Sequence, residues 1–400
     1  MKHKDIQILI VPDVHGREFW KDAVEMHPDV PVVFLGDYLD QYPDEKISDS
    51  VALGVLSDII QIKKFRPDSV HLLLGNHDLA YIDGRIQCGR HKWLDEKEIS
   101  RIFMHDLACF DLAYEQRIGG KRFLFSHAGV SVGWLQQHKD IFGGMPICGE
   151  LFDMMYKSPE LRDCIIGALS DVSIARWGEA KFGSMIWADV MEMMYTKMLL
   201  PGFVQVFGHS LQEIEPCCMK DHAYCLDCRR VFYIDSAGDI RDYDTDRIVG
   251  DDRYIFLDID GVVTSEKSHF RFDPDCFERL GKIIDATDAR IVITSSWKGQ
   301  TVKQTCRYLT DKLDPYVSDH PFPFCDRIVG ITRDWPVVDD EFTRGKEVDA
   351  YLKRHSCRSY VIIDDILDFM PEQMDHLVSV HDSTGISDDD VSKAVDILLK

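Results

Sequence analysis

The chain lacks any apolar run approaching the ~18 residues that a membrane span needs. It is short of basic residues, with 46 Lys and Arg against 69 Asp and Glu, a net charge of −23. That balance disfavours a protein that grips nucleic acid by neutralising many phosphates, although a local basic groove is compatible with it. No internal repeat or low-complexity tract occurs. Met1-Lys2-His3-Lys4-Asp5 leads into a short apolar run ending at Pro12-Asp13, too short for a signal-peptide core. Without such a start, the 12 cysteines of so long a chain do not read as a disulfide framework. The expectation is a soluble, cytoplasmic protein in a reducing compartment, with no membrane partner.

What the sequence has is acid and alternation. Its 400 residues suggest two or three domains at roughly 150 residues each, enough to bury cores without staples. Short β-rich runs (Ile6–Val11, Val32–Leu35, Val70–Leu74, Arg122–Phe125, Phe203–Phe207, Val231–Ile234) alternate with amphipathic stretches such as Ser48–Lys64 and Glu96–Phe110. Strands alternating with helical patterns predict an α/β layered fold. Residues 141–200, with Leu151–Tyr156 and Met191–Tyr195, read as a mostly helical insertion whose methionines fill core gaps. A polar stretch after Ile234 precedes a second βα series that starts at Tyr254–Leu257 and continues through Arg290–Ile293, Tyr360–Ile363 and His376–Val380. Domains are therefore expected at 1–247 and 252–400.

Five segments just past strand ends carry acids, His and Asn: Asp13-Val14-His15-Gly16, Gly36-Asp37-Tyr38-Leu39-Asp40, Gly75-Asn76-His77-Asp78, Ser126-His127-Ala128-Gly129 and Phe207-Gly208-His209-Ser210. Strand carboxyl ends are where sites assemble in open α/β sheets. The set resembles the calcineurin-like metallophosphoesterase superfamily, and within it the PPP-type serine/threonine phosphatases; Trp187-Ala188-Asp189 looks like a further family segment. The resemblance implies a ββ-sandwich flanked by helices. It further implies that Asp13 and His15 bind one metal, Asp37 bridges two, and Asn76, His127 and His209 complete the second. Two divalent ions sharing one hard anion, with mixed N and O donors, lower the pKa of a water between them and clamp phosphate oxygens; Mn, Fe, Zn or Ni suits such a site. His77 would protonate the leaving oxygen and Asp40 would orient it. Many PPP enzymes have Asp-Arg-Gly where this chain has Asp40-Gln41-Tyr42. Arg17, Arg85 or Arg90 could replace the missing phosphate clamp.

Asp258-Ile259-Asp260-Gly261 follows the Tyr254–Leu257 run, then come Thr294-Ser295-Ser296-Trp297, Arg344-Gly345-Lys346-Glu347 and Asp364-Asp365. The four-part set resembles the haloacid dehalogenase superfamily, in particular the branch found in RNA-repair proteins, and implies a Rossmann-like domain. By that resemblance Asp258 attacks phosphorus to form an aspartyl-phosphate, and Asp260 protonates the leaving group. Thr294 or Ser295, with Lys346, would hold the phosphoryl oxygens, and Asp258, Asp260, Asp364 and Asp365 would bind Mg²⁺. The gaps from Asp260 to Ser295 and from Ser295 to Lys346 leave room for little or no cap. Together the two resemblances imply a dual phosphohydrolase of phosphate monoesters, acting on a phosphorylated macromolecule or small phosphoester. Phosphoprotein is the leading substrate and nucleic-acid ends the alternative; a binding scaffold with degenerate sites is a third reading.

Weaker signals read blandly. Cys217, Cys218, Cys225 and Cys228 fit buried thiols better than a Zn²⁺ site, because a full pair of C-x-x-C knuckles is absent. Trp297 reads as a packing residue rather than a stacking platform. Asp388-Asp389-Asp390 after Ser387 reads as helix capping.

Overall fold

The computed structural model describes residues 3, 5–92, 95–143, 158–194, 198–220, 222–313, 322–334 and 341–400. It divides into two compact units, Met1–Gln212 with Pro216–Val249, and Glu213–Glu215 with Gly250–Lys400.

In the first unit, strands β1 (Ile8–Val11), β2 (Val32–Phe34), β3 (Val70–Leu73), β4 (Phe110–Asp111), β10 (Phe232–Ile234) and β11 (Ile240–Asp242) form one sheet in the order β11-β10-β1-β2-β3-β4. Strands β5 (Ala113–Ile118), β6 (Lys121–Ser126), β7 (Val204–Phe207), β8 (Cys217–Met219) and β9 (Ala223–Cys225) form a second sheet in the order β5-β6-β7-β9-β8. The period-two alternation of a strand sorts its side chains between the faces. Ile8 and Ile10 of β1 join Val33, Phe123, Phe125 and Val206 in one core. Leu9 and Val11 join Leu56 and Ile59 of the helix Asp49–Phe65 in another. A strand buried on both faces reads as an unbroken apolar run, as β1 does.

That helix begins at Ser48, whose hydroxyl accepts the Val51 N–H at 3.3 Å. It buries Ala52, Val55, Leu56, Ile59 and Ile60 at helical spacing and ends on Lys63 and Lys64, cations favoured at a helix carboxyl end. In the expected insertion, Pro159–Leu169 and Val190–Met193 are helices. Leu151–Tyr156 and Tyr195 lie outside the described residues.

The second unit is a parallel sheet of β12 (Arg253–Leu257), β13 (Arg290–Ile293), β14 (Ile328–Ile331), β15 (Ser359–Asp364) and β16 (Leu377–Ser379), ordered β14-β13-β12-β15-β16. The order reverses direction at β12, so the crevice at the carboxyl ends beside it is a topological switch point, where α/β sheets place ligands. Ile255 and Leu257 face one core and Tyr254 and Phe256 the other. Between Asp260 and the helix Pro274–Thr287 there are only turns and a bridge from Thr264 to Phe272, so no cap domain enters there. The Asp388–Leu399 helix starts in a capping box, Ser387 Oγ taking the Asp390 N–H and Asp390 the Ser387 N–H. The acidic run is thus a helix start.

Candidate active sites

The first site is built where β1, β2 and β3 of one sheet and β6 and β7 of the other end. Each strand hands its next residues to a tight turn, and several of these residues adopt left-handed backbone: His15 at φ 44°, Asp37 at 53°, Asp40 at 59° and His209 at 64°. Such conformations cost of order 1 kcal/mol each in non-glycine residues and persist where the surroundings impose them. Asp78, fully buried, imposes part of this. Its carboxylate accepts the N–H of Asp37 at 2.7 Å, of Gly75 at 2.8 Å and of Tyr38 at 3.0 Å, tying two loops together. Gly75 and Gly208 are required by close approach: a Cβ would lie 2.1 Å from Asp37 Oδ1 in the first case and 2.0 Å from Asp13 Oδ1 in the second.

Backbone carbonyls fix the imidazoles. His15 Nδ1 lies 2.6 Å from Leu39 O and His127 Nδ1 2.9 Å from Leu35 O. A carbonyl only accepts, so Nδ1 carries the proton and each Nε2 presents its lone pair. Those nitrogens lie 3.6 Å and 3.5 Å from Asp37 Oδ2. His127 Nε2 is also 3.1 Å from Asn76 Oδ1 and 3.1 Å from His209 Nδ1. Burial, then His77, holds His15 well below the usual imidazole range; burial, then Arg176, does the same for His209. Burial pushes Asp37 up to about 7, opposed by His77 and reinforced by Asp13. Neutral imidazoles converging on acids that cannot shed their charge into water form a donor set for cations. Two overlapping triads, Asp13–His15–Asp37 and Asp37–His127–His209, share Asp37 as a bridge would. The residues fit the pair of divalent ions.

Beside this cluster, His77 Nδ1 lies 2.7 Å from Asp40 Oδ2, and the Tyr81 hydroxyl donates to the other oxygen of Asp40. Arg90 Nη2 is 3.5 Å from both His15 Nε2 and His77 Nε2.

The second site lies at the carboxyl ends of β12, β13 and β15. Asp258, Asp364 and Asp365 converge there. Burial and then Asp258 push Asp364 up to about 7. Arg344 Nη1 is 2.9 Å from Asp258 Oδ2 and also pairs with Asp364 Oδ2. Asp258 Oδ1 and Thr294 Oγ1 are buried with no partner, two polar atoms waiting for a ligand. The oxygen-only cluster fits Mg²⁺. Asp260 stands outside it: its Oδ2 accepts the Trp297 indole N–H at 2.8 Å and its Oδ1 the Thr264 hydroxyl at 3.4 Å.

Residues 6–158 match the family model of the calcineurin-like phosphoesterases, and residues 254–391 match that of the HAD domain in Swiss Army Knife RNA repair proteins. The chain joins a calcineurin-like phosphoesterase domain to a HAD domain. It is a phosphohydrolase with divalent-metal sites. None of the curated proteins matches it. Among solved structures it is similar to a cold-active protein-tyrosine phosphatase of a psychrophilic Shewanella species, at 13% identity and a TM-score of 0.35 over 60% of this chain and 80% of that one. It is also similar to a protein serine/threonine phosphatase from Saccharomyces cerevisiae, at 16% identity and a TM-score of 0.32 over 57% and 73%.

In the phosphoesterase domain all eight residues singled out from sequence, Asp13, His15, Asp37, Asp40, Asn76, His77, His127 and His209, are brought together. Of the three arginines left open, Arg85 is paired with Asp83 and Asp163, and Arg17 with Glu45. Only Arg90 among them reaches the histidines. In the HAD domain, Ser295 Oγ accepts the Trp297 N–H at 3.3 Å, whereas the Thr294 hydroxyl is the unpartnered one. Arg344, a residue the sequence reading quotes without assigning a role, pairs with Asp258 and Asp364. Asp78, Tyr81 and Arg344 are the residues sequence reasoning passed over. A charged residue two positions from Lys346 was the available signal for Arg344.

Among the described residues no helix is long and apolar enough to cross a membrane. Cys217 and Cys225 face each other across β8 and β9 in an apolar cluster with Ala128 and Phe207. Among the described residues no cysteine is joined in a disulfide.

Proposed function

We propose that this chain removes phosphate groups from the ends of nucleic-acid strands, using its two domains on phosphomonoesters by two different chemistries in a reducing, cytoplasmic setting. The observation that carries the reading is the match of residues 254–391 to a domain of RNA repair proteins, on a domain whose Asp258 and Thr294 hold unpartnered oxygens. Among the described residues no cap domain enters between Asp260 and the Pro274–Thr287 helix, an openness that suits a macromolecular end. The second reading, a serine/threonine phosphoprotein phosphatase, is favoured by the Trp187-Ala188-Asp189 segment, in which Trp187 packs edge-on to His209 with ring centroids 5.6 Å apart.

In the phosphoesterase domain, Asp13, His15, Asp37, Asn76, His127 and His209 would hold two divalent ions, which when bound would supply water activation and charge for the phosphate oxygens. His77 then gives a proton from Nε2 to the leaving oxygen, while Asp40 holds Nδ1 and Tyr81 holds Asp40. In the HAD domain, Asp258 attacks phosphorus as the P–O bond to the leaving group breaks, and Asp260 protonates that oxygen. Water, deprotonated by Asp260, then cleaves the aspartyl-phosphate. Thr294 donates to a phosphoryl oxygen, and Arg344 offsets the charge gathered there.

The test is a substrate panel for the purified chain with Mn²⁺ and Mg²⁺: oligonucleotides phosphorylated at the 3′ or 5′ end, phosphoserine and phosphothreonine peptides, and p-nitrophenyl phosphate. Oligonucleotide ends are expected to give the highest kcat/KM. A phosphopeptide preference of tenfold or more would move the assignment to the second reading.

A further inference from the structure

Three guanidinium groups surround one aromatic ring at the edge of the phosphoesterase site. Arg90, Arg229 and Arg17 have their guanidinium carbons 3.9 Å, 5.0 Å and 5.2 Å from the centroid of Tyr42. Tyr42 itself packs edge-on to the metal-site histidine His15, centroids 5.3 Å apart. Like charges do not gather this closely without counter-charge. Glu45 supplies part of it, taking Arg17 Nε at 2.9 Å and Arg229 Nη1 at 2.9 Å. Asp227, buried nearby, feels both Arg17 and Arg229. Asp13 also acts on Tyr42 and supplies a third negative charge on the metal side of the ring.

The hydrogen bonding is unfinished. Arg17 Nη2 and Arg229 Nε are buried without partners, although the Arg17 side chain is only 10% exposed. A buried donor left unpaired is costly, and an anion set against the cluster relieves that cost. Guanidinium groups gathered around one aromatic ring and fixed by it are preorganised for phosphate.

The cluster also has a direction. Arg90 spans it and the reaction centre, its guanidinium carbon 3.9 Å from the Tyr42 centroid and its Nη2 3.5 Å from His77 Nε2. His77 is the group assigned to protonate the leaving oxygen, so an anion held here belongs to the leaving group and not to the phosphate that departs.

We propose that Arg17, Arg90 and Arg229 around Tyr42 form a subsite for a second phosphate carried by the leaving portion of the substrate. The inference rests on the phosphohydrolase reading of the first domain and narrows its substrate class to a phosphomonoester whose alcohol bears a further phosphate. That further phosphate is a diester in a strand end or a second monoester in a nucleoside bisphosphate.

The test uses the full chain carrying Asp258→Asn, so that the HAD domain contributes no turnover. With Mn²⁺, kcat/KM is measured for p-nitrophenyl phosphate, adenosine 3′-monophosphate, adenosine 3′,5′-bisphosphate and a 3′-phosphorylated dinucleotide. The doubly phosphorylated substrates are expected to exceed the monophosphate by about tenfold or more, equivalent to about 1.4 kcal/mol. The dinucleotide and bisphosphate arms separate the two sources. Arg229→Ala, at a side chain 36% exposed, should collapse that ratio to about twofold, with Arg229→Lys intermediate. An unchanged ratio in Arg229→Ala overturns the subsite. If no substrate is turned over, the phosphohydrolase reading of this domain fails, and calorimetric titration of the EDTA-treated protein decides the subsite separately. There adenosine 3′,5′-bisphosphate should bind about tenfold tighter than the monophosphate, an advantage lost in Arg229→Ala. Equal affinities overturn it.

Discussion

At the phosphoesterase site imidazoles stand among the acids, whereas at the HAD site the acids share a guanidinium. His15 and His209 are held neutral by burial, so they lend lone pairs but no positive charge. Among the described residues no Lys or Arg side chain pairs with the carboxylate of Asp13 or Asp37. In the HAD domain Arg344 pairs with both Asp258 and Asp364, a permanent charge built into the fold. The central carboxylates of the first site therefore look to imported cations, its arginines lying at the edge, whereas those of the second are compensated in part by Arg344.

The largest effects come from removing the acid at the centre of each site. Asp37→Asn is expected to lower the Mn²⁺-dependent activity by about 10³-fold or more while sparing the HAD activity, and Asp258→Asn to do the reverse. Assaying each variant on the best substrate of each domain checks this. Full activity of both variants on every substrate would break the assignment.

Metal removal probes the comparison directly. An ion present at about a hundred times its Kd stabilises a domain by about 2.7 kcal/mol. Stripping with EDTA should thus lower the calorimetric transition of the phosphoesterase domain by about 5–10 °C, at about 2–4 °C per kcal/mol. The HAD transition should fall by less, because Arg344 remains. Equal shifts would erase the distinction. Arg344→Met sharpens it from the other side. Without Mg²⁺ the variant should lose about 2 kcal/mol, as Asp258 and Asp364 are left facing each other, and millimolar Mg²⁺ should recover most of that. A loss independent of Mg²⁺ would make Arg344 an ordinary packing residue.

Much of this architecture was legible in the chain because strand ends and chemistry coincide. Runs such as Val32–Leu35 and Arg290–Ile293 are strands within a residue of their expected bounds, and each is followed by its acid or hydroxyl. A buried strand has to be apolar and a site residue has to come next, so both signals are local. Ile240–Asp242 was read as part of a polar stretch, yet it is a strand pairing with β10. At a sheet edge one face can be polar, and alternation over three residues carries no signal. Side-chain partners were the least legible. Trp297 reads as packing from its composition alone. It does pack, against Phe272 and Tyr308, but its indole N–H also holds Asp260, 37 positions away in the chain. Trp297→Phe should keep the packing and lower HAD kcat by about tenfold with little change in KM, since the indole N–H positions the carboxyl assigned to serve the leaving group. An unchanged kcat would return Trp297 to a purely structural role.

The smallest expected effect separates the domains by their response to acid. His71, on β3 of the phosphoesterase domain, stacks on Tyr114 with ring centroids 3.5 Å apart. Burial, then Lys63, pulls its imidazole down to about 4. Between about pH 6.5 and 4 the unfolded chain therefore binds a proton there that the folded chain refuses. Stability is fully present above the unfolded value and is lost as pH falls toward 4. His71→Phe keeps the stacking and removes the titration, so urea midpoints of the metal-free phosphoesterase domain should drop less between pH 7 and pH 5 in the variant. The HAD transition, which has no share in this group, should move equally in both proteins. If the variant and the parent lose the same stability over that interval, the acid sensitivity of this domain lies in groups other than His71.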